Sequence, residues 1–377
     1  MPSEQLLFRA IQAAMTGATV EPPATEEEMA ALYKLAKRHD MAHLLAAALQ
    51  GKLLQGDVGA SLHRQYMTAI FRTEQLQSEL AALTDALEEA EIPFIPLKGS
   101  VLRARYPEPW LRSSCDIDVL VHESDVTAVK THLARTLGYT EGKGGPYDLS
   151  LYAPGGVHVE VHFALSATCD TAADALLSRV WEFATPAGQG AYRHVLADEM
   201  LYFYHIAHMA KHFVHGGCGV RPFLDLSLLD RAGSEAEQRR DALLTEGGLL
   251  RFAQSMRAVA AYWFANGAQT PLCLEVERFI LSGGSYGTRQ NSVKMRRAVH
   301  RKGKLSFLLS RIFLPYSTIK YMYPVLQRHR WLTPFFEVRR WFSLLFSKSA
   351  RRLLRRTVRA GKEELADDRA FLREVGL

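Results

Sequence analysis

Apolar positions repeat every three to four residues through most of residues 1–90, the period of helices with one buried face. Thr25 and Glu28 have capping-box spacing ahead of EMAALYKLAKRHDMAHLLAAALQ, which predicts one helix stopped by Gly51. A second helix is expected from about Ser61 to Ala90, with Leu76, Leu80, Leu83 and Leu87 on one stripe. At Ile92 the period changes. Ile92–Leu97 reads as a short strand with Pro93 near its start, where a missing N–H is tolerated. Gly99-Ser100 turns into the short helix VLRARY, which Pro107 and Pro109 end, and Ile117–Val121 is the next strand. Glu123–Leu137 has helical spacing, with Gly138 suited to its C-cap. Leu149–Ala153 and Val157–Phe163 read as strands joined by Pro154-Gly155-Gly156 in a hairpin.

From about Ala172 helical spacing returns, most clearly over Asp198–His215 and Arg221–Ala232. The polar, Gly-rich start of 283–304 predicts a linker or mobile loop. Basic, aromatic-rich helices broken by Pro315, Pro324 and Pro334 follow. The expected fold class is α+β, a small mixed sheet inside a mostly helical protein. Four regions are expected: a helical region at 1–90, an α/β core at 91–165, a helical region packing on it at 166–288, and a basic C-terminal helical segment at 289–377.

The strand at Ile117 raises a problem of charge. In Asp116-Ile117-Asp118 the period of two puts both carboxylates on one face, with Cα atoms about 7 Å apart, while Ile117, Val119 and Val121 face the core. Like charges repel, and each costs free energy to desolvate, so such a strand needs a solvated edge or a cation between the carboxylates. Mg²⁺ or Mn²⁺ binds hard oxygens of this kind together with substrate phosphate. Glu160, alternating with apolar residues in His158-Val-Glu160-Val-His162, is the candidate third carboxylate of a two-metal site. Ahead of the pair, Gly99 and Ser100 open a helix, where a glycine admits close approach and the helix N-terminus favours an anion.

The order Gly-Ser, Asp-x-Asp and then an isolated strand carboxylate resembles the DNA polymerase β-type nucleotidyltransferase superfamily. The run LKGSVLRARYPEPWLRSSCDIDVLV followed by VEVHF resembles an uncharacterised bacterial nucleotidyltransferase family with an LKG…YP…R…DIDLLV…D/ExHW pattern. That resemblance is specific over residues 92–165 and looser on the flanks. It implies a polymerase β-type core that transfers a nucleoside monophosphate from an NTP to a hydroxyl or similar acceptor and releases pyrophosphate. The acceptor would be a small molecule, peptide or protein, in a natural-product or modified-peptide pathway. Gly99 and Ser100 match the nucleotide-phosphate loop, and Asp116, Asp118 and Glu160 match the metal ligands. Two positions depart from the pattern: Glu160 stands for the commoner Asp and Phe163 for Trp.

Lys98 and Arg112 are candidate phosphate contacts, Arg112 alternatively a lock on the carboxylates. His162 shares a strand face with Glu160 and either lines the pocket or is a hydrogen-bonded structural histidine. His205, His208, His212 and His215 fall within a helical arc of roughly 80°. His208 and His212 are the candidate pocket residues of that stripe, and Asp225 either pairs with it or caps a helix. A zincin motif is excluded because its glutamate is missing. Cys115 reads as a buried apolar residue.

Charge changes the picture at the C-terminal end. Residues 289–362 hold 20 Lys or Arg and one acid, Glu337, whereas residues 1–288 carry −10 of the overall +6. A basic segment on an acidic body fits an anionic partner, RNA or a membrane surface, or internal docking on the body itself. Cysteines at 115, 169, 218 and 273 form no CxxC pair, and no charge-free 18-residue window occurs. Together with an N-terminus lacking a secretory pattern, this predicts a cytoplasmic protein without a transmembrane segment, either free or peripheral on a membrane. Two other functions fit a DxD strand: a sugar-nucleotide-dependent glycosyltransferase, and a non-catalytic nucleotide- or RNA-binding module.

Overall fold

Amphipathic helices build most of the chain. The computed structural model describes residues 3–50, 56–167, 171–230, 233–285, 287–299, 316, 319, 323, 325–346 and 362–377. Helix α1 (Ser3–Thr16) buries Leu7, Ala10, Ile11 and Ala14 on one face. Helix α2 (Glu26–Arg38) begins at the expected capping box: the Thr25 side chain accepts from the Glu28 N–H, and the Glu28 carboxylate accepts from the Thr25 N–H.

The helix does not run on to Gln50. It stops at Arg38, and α3 (Ala42–Ala48) begins after a break in which Asp40 takes φ +59°. Aspartate tolerates this region better than most residues, and here its carboxylate accepts from Ser113 Oγ at 2.7 Å. The tertiary contact wins over helix propensity. Gly51 lies outside the described residues. Helix α4 (Gly56–Glu89) spans about 51 Å and turns Leu76, Leu83 and Leu87 toward the sheet.

That sheet has five strands: β1 (Phe94–Leu97), β2 (Asp116–Val121), β3 (Thr140–Glu141), β4 (Asp148–Tyr152) and β5 (His158–His162). Their order is β1-β2-β5-β4-β3, with β2 and β5 parallel and the other pairs antiparallel. Pro96 sits in β1, an edge strand, where its missing donor costs little. The β4–β5 hairpin turns at Gly156, φ +81°. Between β1 and β2 lies α5 (Gly99–Leu102), and α6 (Val126–Thr136) follows β2 and ends before Gly138, φ +67°.

Apolar side chains cover both faces of the sheet. Ile117, Val119, Val121, Val159 and Val161 pack with α4 and with Val129 and Leu133 of α6. Ile95, Leu97 and Leu120 join the larger core of the helical body. That body contains α7 (Thr171–Leu177), α8 (Asp198–Val214), α9 (Arg221–Leu229), α10 (Ser234–Glu246), α11 (Leu250–Phe264), α12 (Pro271–Gly283) and α13 (Arg289–Val299). The protein is therefore α+β, mostly helical around a small mixed sheet.

Two expectations are corrected. A short hairpin, β6 (Ala184–Pro186) with β7 (His194–Leu196), interrupts the region expected to be helical after Ala172. It is placed by the β1 edge, where the Phe94 N–H donates to Tyr192 O. Within 283–304, residues Arg289–Val299 are helical, not linker. Thr288 Oγ1 accepts from the Asn291 N–H, and Met295 and Ala298 are buried. The helix Lys362–Val375 also returns to the core, burying Phe371, Leu372 and Val375. Half of residues 289–362 lie outside the described residues, and among those described no helix is long and apolar enough to cross a membrane.

One polar pin joins the β1–β2 connection to the helical body. Arg112 donates to both oxygens of Asp225 on α9, at 2.8 and 2.9 Å, and Tyr106 Oη donates to the same carboxylate at 2.8 Å. All three residues are buried. Removing one partner of such a pair strands the other charge away from water. Asp225→Ala is therefore expected to lower unfolding free energy by about 3–5 kcal/mol in urea titrations.

Candidate functional site

Strand register assembles the site. Across the parallel pair β2–β5, Asp116 lies opposite His158 and Asp118 opposite Glu160. The period of two then places Asp116, Asp118, His158, Glu160 and His162 on one face, toward the helical body. Across β1–β2, Leu97 lies opposite Asp118, so the next residue, Lys98, leaves the strand beside that carboxylate.

Lys98 has φ +45°, an unfavourable conformation for a residue with a Cβ. Its Nζ donates to Asp118 Oδ1 at 2.6 Å, where Asp118 is only 3% exposed. It is thus the half-buried ion-pair partner of a buried carboxylate. Burial alone would raise the Asp118 pKa, but Lys98 and His162 hold it well below the usual carboxylate range. His162 Nε2–H donates to the same oxygen at 2.8 Å and lies 3.5 Å from Glu160 Oε2. Asp116 differs: burial and the neighbouring Asp118 charge raise its pKa, while Ser114 Oγ donates to it at 3.1 Å.

Gly99 is required by crowding. A Cβ there would lie 2.8 Å from Arg112 Nη1 and 2.9 Å from Ser114 Oγ. The next two polar residues are unusual in the opposite sense. Ser100 Oγ is buried without a hydrogen-bond partner, and so are Nε and Nη2 of Arg103. Arg103 is 5% exposed, and burial, with Arg112 and Arg221 nearby, lowers its pKa to about 10 against the pull of Asp116. A buried guanidinium with unused donors fits an anionic oxygen. Ser100 and Arg103 are three residues apart, the spacing of side chains on one side of a helical turn.

The histidine stripe on α8 divides. His205 donates to Pro222 O at 2.9 Å, and His215 bonds the Lys211 carbonyl. His208 and His212 approach ring to ring at 4.4 Å, and the field of Lys98 reaches both. Burial, then Lys98, keeps His208 neutral, and the same causes lower His212 to about 4. Tyr204 is one turn earlier; burial pushes its hydroxyl up to about 12, against Lys98.

The structure therefore brings together Lys98, Gly99, Ser100, Asp116, Asp118, Glu160 and His162, with His208 and His212 within the field of Lys98. Asp225 lies behind Arg112 as its counter-ion and within the field of His205 of the stripe, and it caps no helix. Arg112 spends Nε and Nη2 on that pair. Cys115 is exposed, not buried, and accepts from Arg72 at 3.8 Å. Sequence reasoning missed Arg103, Ser114, His158 and Tyr204. His158 was readable from the alternation in HVEVH; the other three are placed by loops and by α8.

Donor atoms of Asp116, His158 and Glu160 lie within 4.8 Å of one another, and so do those of Asp118, Glu160 and His162. Carboxylate oxygens with a flanking imidazole suit a divalent cation such as Mg²⁺ or Mn²⁺. The fold and this acidic cluster define a candidate transferase site. The sequence model of a family described as "Uncharacterised nucleotidyltransferase" matches residues 25–265, from the cap of α2 through α11, and the chain belongs to that family. No curated protein and no solved structure matches the chain.

The two aspartates should respond oppositely to neutralisation. Asp118→Asn leaves the Lys98 ammonium unpaired and is expected to cost about 3–5 kcal/mol in urea titrations without metal. Asp116→Asn relieves repulsion and is expected to change stability by less than about 1 kcal/mol, or to raise it.

Acid should destabilise the protein through His212 and also His39, whose pKa burial lowers to about 4. The folded pKa lies below the unfolded value, so the unfolded chain binds more protons between the two. Stability is therefore complete above about pH 6.5 and falls toward pH 4, at up to about 1.4 kcal/mol per pH unit for each histidine. His212→Asn should flatten that slope in urea titrations run from pH 7 to pH 4.5.

Proposed function

We propose that this protein is a metal-dependent nucleotidyltransferase of the polymerase β type, transferring a nucleoside monophosphate from an NTP to an acceptor hydroxyl. The observation that carries the reading is the pairing of the Asp116–Asp118–Glu160 face with unpartnered Ser100 and Arg103 on the same β1–β2 connection. Carboxylates alone fit many cation sites; carboxylates beside buried, unused phosphate donors fit a nucleoside triphosphate.

A bound divalent cation would be held by Asp116, Asp118 and Glu160, with His158 and His162 beside them, and would neutralise triphosphate charge and polarise the attacking oxygen. Ser100 Oγ and the Arg103 guanidinium bind phosphate oxygens and orient the α-phosphorus. Lys98 holds Asp118 ionised, and His162 fixes that carboxylate by hydrogen bond. The acceptor oxygen forms a bond to the α-phosphorus, the bond from that phosphorus to the bridging oxygen breaks, and pyrophosphate leaves with the electron pair. The hydroxyl proton passes to Glu160 or to water. His208 and His212, neutral and desolvated, form the wall toward the helical body.

The test is titration with each NTP, with and without Mg²⁺, following thermal stabilisation and pyrophosphate release. One NTP should give a Mg²⁺-dependent shift. Arg103→Ala should weaken that NTP's binding about tenfold or more. Asp116→Asn should reduce turnover on the order of 10³-fold while the protein stays folded. A response only to a UDP- or GDP-sugar with Mn²⁺ would replace this reading with glycosyl transfer.

A further inference from the structure

A cavity opens beside the start of β2. It has a volume of about 450 Å³, and Cys115, the residue before Asp116, lines it with Lys37, Arg38, His39, Arg221 and Ser285. Three distant segments build it: the end of α2, the glycine-rich turn after α8 and the turn after α12. Hydrogen bonds join the first and the third, with the Ser285 N–H donating to Arg38 O at 3.1 Å and the Arg38 side chain donating through Nη2 to Leu281 O at 2.7 Å. Gly219, at φ +72°, permits the approach, since a Cβ there would lie 2.9 Å from Ser285 Cα.

The chemistry of the lining is specific. Neither Lys37 nor Arg38 pairs with a carboxylate among the described residues. Asp40, the one acid on the lining, accepts from Ser113 and lies 3.7 Å from Arg221. His39 is 1% exposed; its Nε2 donates to Leu281 O at 3.3 Å, and its Nδ1 is buried with no hydrogen-bond partner. Burial keeps this ring neutral at pH 7, so Nδ1 presents a lone pair that needs a donor.

We propose that this cleft is the acceptor site, and that the acceptor is a hydroxyl compound bearing an anionic group, a phosphate or a carboxylate. The anion meets Lys37 and Arg38 on the lining. This assignment rests on the nucleotidyltransferase reading, under which the acceptor hydroxyl must lie beside Asp116. The balance is unchanged: the acceptor oxygen joins the α-phosphorus, pyrophosphate leaves, and one proton is released.

The experiment uses the full chain and two parallel readouts. Calorimetry compares ribose 5-phosphate with ribose and glucuronate with glucose, while thermal stabilisation by each NTP with Mg²⁺ is followed on the same protein. At least one anionic sugar should bind about tenfold or more tighter than its neutral partner. Lys37→Glu/Arg38→Glu should abolish that preference and leave the NTP response intact. Lys37→Gln alone serves if the double variant fails to fold, since Arg38 also holds the Leu281 carbonyl. Equal binding of neutral and anionic sugars, no binding of either anionic sugar, or undiminished binding by the variant overturns the assignment. An anion preference in a protein that answers no NTP overturns nucleotidyl transfer and, with it, the acceptor role, leaving an anion site. An NTP response without that preference overturns only the cleft.

Discussion

The contact between half-buried Lys98 and buried Asp118 is the constraint on which the rest of this site depends. Asp118 lies mid-strand, almost wholly removed from water, with Asp116 two residues before it and Glu160 directly across the sheet. Desolvation and like-charge repulsion both oppose ionisation there. The Lys98 ammonium at 2.6 Å, with His162 at 2.8 Å, makes the charge tolerable. In return Lys98 takes a backbone conformation with positive φ, and Gly99 must follow it without a side chain so that Arg112 and Ser114 can close in. The Gly-Ser turn, the carboxylate strand and the loop between them are thus one mechanical unit.

Around that unit the charges fall into two kinds. Those that hold the fold are satisfied, as Arg112, Tyr106 and Asp225 show. Others keep unused capacity: Arg103 and Ser100 on one side of Asp116, and His39 in the cleft that Cys115 lines. Unused buried donors and acceptors are costly in a folded chain, so they mark places where a ligand completes the hydrogen bonding. Under the nucleotidyl-transfer reading they separate a triphosphate side from an acceptor side, with the carboxylates between.

Much of the architecture was legible because it depends on local period. The stripe of α4, the alternation in β2 and β5, the hairpin at Gly156 and the cap of α2 are written in short spacings. Errors arose where a distant partner outweighed local preference. The helix through His39 is broken because Asp40 serves Ser113 and faces Arg221. The β6–β7 hairpin exists because the edge of β1 offers it hydrogen bonds. Asp225 lies within the field of His205 of the expected stripe, but its hydrogen bonds come from Tyr106 and from Arg112, 113 positions away in sequence.

By itself the sequence determined which residues share a strand face, that two carboxylates stand on one strand with a third on another, and that a glycine-serine turn precedes them. Periods of two and 3.6 fix such relations within a few residues. Only the tertiary structure decided that β2 and β5 are parallel neighbours in this register, that Lys98 is the cation answering Asp118, and that Arg103 and His39 keep unsatisfied atoms. Those facts depend on burial and on contacts between segments far apart in the chain, and no local spacing encodes the distance between two such segments.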